Sequence, residues 1–198
     1  MKRYSTFDLI IIAILAALGL GTKQIVRPVI EIFTRILVIP GGALAGGFYM
    51  LWLVLAKRLV PKFGSGIFFG LVQALVVLIL PFGSHGIFTF ITYSLPGLVI
   101  DLIELLNRKN KNGLLFSVID GAAANLVGSV AVSIFIFDMP IEIMLFVITL
   151  ALLSGNLGGI LAYLIMKQIQ NPLLQTAIIE SELTTNQEQI SEEKVVIE

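Results

Sequence analysis

Residues 7–22 read FDLIIIAILAALGLGT. One charge, Asp8, stands at the start, and Thr22-Lys23-Gln24 ends the run. Similar apolar runs return at about 42–60, 63–80, 87–106, 114–137 and 141–167. A helix needs roughly 20 apolar residues to cross the ~30 Å hydrocarbon core of a bilayer, and these runs are near or above that length. Of the 198 residues, 57% are hydrophobic and 13% charged, with a mean hydropathy of +0.99. That is too little charge to cover a soluble surface. The expected fold is an all-α membrane protein with six transmembrane helices.

The connections carry turn and charge signals. Pro81-Phe82-Gly83-Ser84-His85-Gly86 and Asp138-Met139-Pro140 are turns by composition, and Pro96-Gly97 predicts a kink inside the fourth run. Residues 107–113 form a polar, basic loop. Lys23 to Pro40 is a long, partly apolar connection with Lys23, Arg27, Glu31 and Arg35. Antiparallel helices need only a few residues to connect, so this segment can form a lid over a site or an interfacial helix that only anchors.

Orientation follows from basic residues. Lys2, Arg3, Lys57, Arg58, Lys62, Arg108, Lys109, Lys111 and Lys167 fall on one side of a six-span arrangement, which predicts cytoplasmic termini. The chain divides by charge into a transmembrane domain, 1–168, and an acidic cytoplasmic tail, 169–198. The tail carries six Glu against one Lys and is expected to be flexible. Met1-Lys2-Arg3 resembles the start of a secretion signal, but no small-residue cleavage site follows and further spans do.

The chain has no cysteine and a single histidine, His85. Thiol chemistry, disulfides and clustered-imidazole metal sites are excluded. No nucleotide-binding P-loop, H-E-x-x-H or G-x-S-x-G is present. No catalytic residue, metal site or cofactor is expected, and no nucleic-acid partner.

Ala13, Ala17 and Gly21 recur every four residues and share one helical face. Small residues let another backbone approach closely in lipid, so the face meets either a neighbouring helix or a different protein. Gly42/Gly46, Gly66/Gly70 and Gly155/Gly159 point to a tightly packed bundle. Polar residues inside apolar helices cost free energy unless partnered. Gln73, Asn125, Asn156, Thr89, Thr92 and Tyr93 are of this kind. They either bond between helices or form a ring of neutral groups around a polar solute. Tyr49, Phe82, Phe88 and Tyr93 can stack on a flat heterocycle, or anchor and pack. Asp101 and Glu104 read as local helical pairs, Glu104 with Arg108. Asp120 is expected to pair with a basic loop residue. No carboxylate reads as midplane, which disfavours proton-coupled transport.

The six-span pattern, the Ala13/Ala17 face and the long first connection together resemble the S-components of energy-coupling factor (ECF) transporters. The stretch from Pro40 to Trp52, PGGALAGGFYMLW, is similar to members near the hydroxymethylpyrimidine/thiamine branch. So are Gln73-Ala-Leu, Ser84-His85-Gly86 and Tyr93-Ser-Leu-Pro-Gly.

The resemblance covers about residues 5–168. It implies a plasma-membrane subunit of a prokaryotic ABC importer that binds a vitamin or its precursor at its outer face. A partner scaffold membrane protein and two ATPases supply the energy, and the subunit topples to release its load. It implies scaffold contact through Ala13 and Ala17, extended to Gly21. The implied solute site comprises Lys23, Gln24, Arg27, Tyr49, Gln73, His85, Tyr93, Asn125 and Asn156. Metal-transporting members use an N-terminal histidine segment that this chain lacks. For a cationic thiazolium, Glu31, Asp138 and Glu142 are candidate partners, whereas Lys23 and Arg27 suit an anion. The alternatives are a membrane scaffold without a solute and an independent secondary carrier.

Overall fold

The computed structural model describes residues 3–37, 39–80, 86–106 and 113–172. Its elements are six helices, with no strand among the described residues: α1 (Thr6–Leu37), α2 (Gly41–Leu59), α3 (Ser65–Ile79), α4 (Phe88–Leu106), α5 (Leu114–Phe135) and α6 (Ile141–Ile169). Four of them, α1, α4, α5 and α6, are long and apolar enough to cross a membrane. At 15 residues, α3 is apolar but only about 22 Å long. Glycine and the Lys57-Arg58 pair dilute the apolar character of α2. The chain divides into two units, Met1–Tyr163 and Leu164–Glu198. The second is described only at 164–172, so the acidic tail beyond Pro172 lies outside the described residues.

The expected first connection is not a loop. Helix α1 continues through Lys23 and Pro28 to Leu37, 32 residues in all, or about 48 Å. It begins where Ser5 caps it: the Ser5 amide donates to Asp8 Oδ2 at 2.6 Å, and the Asp8 amide donates back to Ser5 Oγ at 3.2 Å. Asp8 also pairs with Lys62, tying this end to the α2–α3 turn. In that turn Gly64 takes φ +93°, a left-handed conformation suited to glycine. Tyr4 donates to the Phe63 carbonyl at 2.6 Å. Burial, with Asp101 and Asp8 nearby, pushes its phenol up to about 12, so it stays a donor at neutral pH.

Glycine sets the helix spacing. Gly66 on α3 and Gly97 on α4 meet backbone to backbone, as do Gly70 and Tyr93. Gly121 on α5 meets Gly155 and Gly159 on α6, and Gly47 on α2 meets Ser154 and Gly158. A methyl group on any of these glycines would enter the neighbouring backbone. Ser154 Oγ seals the α2–α6 contact, donating to the Leu44 carbonyl at 2.6 Å and accepting the Gly47 amide at 2.9 Å. The tightly packed bundle expected from the glycine pairs is present.

At the end holding the α1 N-terminus, α2 brings Lys57 and Arg58 inside. Lys57 Nζ lies 2.6 Å from Asp101 and 3.2 Å from Glu104. Arg58 pairs with Glu104 at 3.0 Å and also with Asp120. All five side chains are buried. The Ile67 amide donates to Asp101 Oδ2 at 3.1 Å. Asp120 therefore pairs with a helix residue, not with a loop cation as expected. Lys57 and Arg58, counted above as side-setting loop charges, are neutralised inside the bundle. Arg108 lies outside the described residues.

Three substitutions test this packing. Arg58→Met leaves the Asp120 and Glu104 carboxylates without that partner, and should cost about 3–5 kcal/mol in denaturant titration of the detergent-solubilised protein. Gly97→Ala should cost about 1–3 kcal/mol through overpacking. Gly21→Ala, where a methyl group meets nothing within 4 Å, should leave the melting temperature unchanged or higher.

Candidate functional site

The inner face of α1 repeats at Gly19, Lys23, Arg27, Ile30, Glu31 and Thr34, spacings of three and four that keep these residues on one side of the helix. Opposite them stand the first half of α2, the second half of α3, the first half of α4 and the second half of α5. Chain alternation brings these halves to one end of the bundle, away from the buried ion pairs. They enclose a cavity of about 570 Å³, inside the roughly 300–1,000 Å³ range of small-molecule sites.

Six of the nine residues of the expected solute site line this cavity: Lys23, Arg27, Tyr49, Gln73, Tyr93 and Asn125. Gln24 and Asn156 are half-buried outside it. His85 lies outside the described residues, as does Phe82. Phe88 does not line the cavity; it stacks on Phe135 with ring centres 6.0 Å apart. Asp138 and Glu142 are exposed and do not line it either.

Lys23, Arg27, Gln73 and Asn125 each have a definite role in the packing. Lys23 Nζ donates to the Tyr93 hydroxyl, 4.4 Å from the Tyr93 ring centre and 5.8 Å from that of Tyr49. Arg27 pairs with Glu31 at 2.6 Å, one helical turn on. Gln73 Nε2 donates to the Ala16 carbonyl at 3.0 Å, joining α3 to α1. Asn125 is fully buried and bridges three helices, donating to Ala151 O on α6 at 2.9 Å and Ala43 O on α2 at 3.4 Å. Gly46 provides the room for its side chain. Pro96 lacks an N–H, so the Thr92 carbonyl loses its helical donor beside the cavity.

Sequence reading missed several wall residues. Glu31 was considered only as a partner for a cation. Thr34, Gly42, Met50, Phe69 and Ser129 also line the cavity. Continuing the first span's helical period past Thr22 would have found Ile30, Glu31 and Thr34. Ser129 gave no signal, since its neighbours in the run are apolar or small.

The Ala13/Ala17/Gly21 face lies on the outside of α1. All three residues are exposed, and Ile10, Ile14, Leu18 and Ile25 beside them are exposed too. The contact with a neighbouring helix of the same chain, one of the two readings above, is not made among the described residues.

A bundle of apolar helices around a solute-sized cavity, with no cluster of three or more His, Asp or Glu among the described residues able to hold a metal ion, defines a multi-pass membrane protein of transporter type. Residues 7–127 match the family described as ABC-type cobalt transport system, permease component, and the chain belongs to that family. Membership makes it a membrane component of an ECF-type ABC transporter. No curated protein and no solved structure matches the chain. The matched residues cover α1 to α4 and α5 as far as Leu126 and Val127, and include all six cavity residues named above.

Asn125→Ala should cost about 1–3 kcal/mol in unfolding, because two buried carbonyls lose a donor. The midpoint of chemical denaturation in detergent measures this directly.

Proposed function

We propose that this chain is the solute-binding subunit, the S-component, of its transporter. It holds a small vitamin or vitamin precursor in the α1–α5 cavity, and a separate membrane scaffold and two ATPases drive uptake. The observation that carries the reading is a solute-sized space walled by two tyrosines, amides and hydroxyls inside an otherwise close-packed bundle. A scaffold without a solute would fill this space with side chains. Tyr49 and Tyr93 offer ring faces to a flat heterocycle, and the resemblance makes hydroxymethylpyrimidine or thiamine the first candidates.

The cavity end faces outward and both termini face the cytoplasm in this reading. Of the nine one-sided positives, the seven other than the buried Lys57 and Arg58 still support that orientation. The family description names cobalt. A divalent cation as cargo is the rival reading, but the cavity wall carries Lys23 and Arg27, and its acid, Glu31, is paired with Arg27. Such a wall repels a metal ion. The exposed Ala13/Ala17/Gly21 face, open to the close approach of another backbone, is the proposed scaffold contact.

Two variants separate the roles. Ala17→Trp should abolish co-purification with the scaffold and ATPases and stop uptake in reconstituted vesicles, while the isolated subunit still binds solute. Gly42→Leu projects into open cavity space, where a methyl group meets nothing within 4 Å. It should do the reverse, blocking solute binding with assembly intact. If Gly42→Leu leaves binding unchanged, or if cobalt alone shifts the melting temperature, the solute reading fails.

A further inference from the structure

The cavity wall is charged unevenly. Arg27 is matched by Glu31 at 2.6 Å, the one acid on the wall among the described residues. Lys23 is not matched. Its partners are the Tyr93 hydroxyl and the faces of Tyr49 and Tyr93, all neutral. An ammonium has three N–H donors. One goes to Tyr93, and two have no protein acceptor among the described residues.

A half-buried ammonium with only neutral partners loses hydration without gaining a counter-ion, a cost that a bound anion removes.

We infer that the solute is a flat heterocycle bearing an anionic group, a carboxylate or a phosphate, which docks on Lys23 between Tyr49 and Tyr93. This rests on the reading of the cavity as the solute site, and sharpens it: the wall discriminates against a fixed cation such as a thiazolium. Tyr93 orients the ammonium and Tyr49 covers it, so the charge is offered on a pre-organised donor and not on a free surface lysine.

Two charge ladders test this on the full-length protein in detergent, by calorimetry or ligand-induced thermal shift. The first is hydroxymethylpyrimidine monophosphate, hydroxymethylpyrimidine and thiamine. The second is nicotinate, nicotinamide and 1-methylnicotinamide. In at least one ladder the anion should bind about tenfold or more tighter than its neutral relative, and the cation weakest. Lys23→Gln should bring that ratio to near one, and Lys23→Arg should keep it.

A neutral or cationic rung binding as tightly as the anion in every ladder that binds would overturn the charge assignment and leave the solute-site reading standing. So would a ratio that survives Lys23→Gln. Absence of binding on every rung of both ladders would overturn both.

Discussion

The register of four helices depends on charges that have been taken out of water. Lys57 and Arg58 on α2 meet Asp101 and Glu104 on α4 and Asp120 on α5. The first turn of α3 joins through its amides on Asp101. In an apolar interior each of these ions is tolerable only beside its partner, so α2, α4 and α5 have little freedom to slide. About three helical turns away along α2, and about one and a half along α5, the same register sets Gly46 against Asn125. One helix packed a turn out of place would separate these groups and leave buried charges unpaired at the other end.

Close packing and the cavity are consequences of one another. Where glycine faces glycine, as at Gly66–Gly97 and Gly121–Gly155, backbones touch and no space remains. Toward the other end the facing residues become Tyr49, Gln73, Tyr93 and Met50, and α1 leans over them as an extended wall. The side chains there leave part of the volume between the helices unfilled. Gly41, Gly42 and Gly128 add to the space, because each removes a side chain from the wall.

The sequence made the helices legible because apolar length and turn residues determine them directly: the observed α2, α4 and α5 begin and end within two residues of the runs read. It misjudged α1 for a physical reason. Lys23, Arg27 and Glu31 end an apolar run, but a helix ends only where its backbone bonds stop. Charged residues at three- and four-residue spacing continue a helix perfectly well. The ion pairs were illegible for another reason. Lys57 and Asp101 are separated by 44 positions, and nothing in either segment says which basic residue an acid will meet. Of the site, Gln73, Tyr93 and Asn125 were legible as polar groups inside apolar helices, which must face inward, whereas Lys23 and Arg27, read as part of a connection, came only with the resemblance. Asn156 shows the limit of that rule, since it is half-buried outside the cavity.

Helix α1 carries two faces with different partners. Gly19 points inward against Gln73, and Gly21, two residues on and about 200° around the helix, points out into open space. Ala13 and Ala17 continue the outer face toward the N-terminus, while Lys23, Arg27 and Glu31 continue the inner face toward the cavity. The helix is unbroken from Thr6 to Leu37, so the outward stripe and the cavity wall are parts of one element. Trp52, whose indole donates to Thr22 Oγ1 at 2.9 Å, and Gln73, bonded to Ala16 O, fasten it to α2 and α3 just where the two faces overlap. A displacement of α1 at its outer face would carry Lys23 with it and strain both hydrogen bonds, because the helix is continuous. Pro28 removes the donor to Gln24 O beyond that clasp, so the backbone ladder is weakened on the side of Ile30, Glu31 and Thr34 and intact at Lys23.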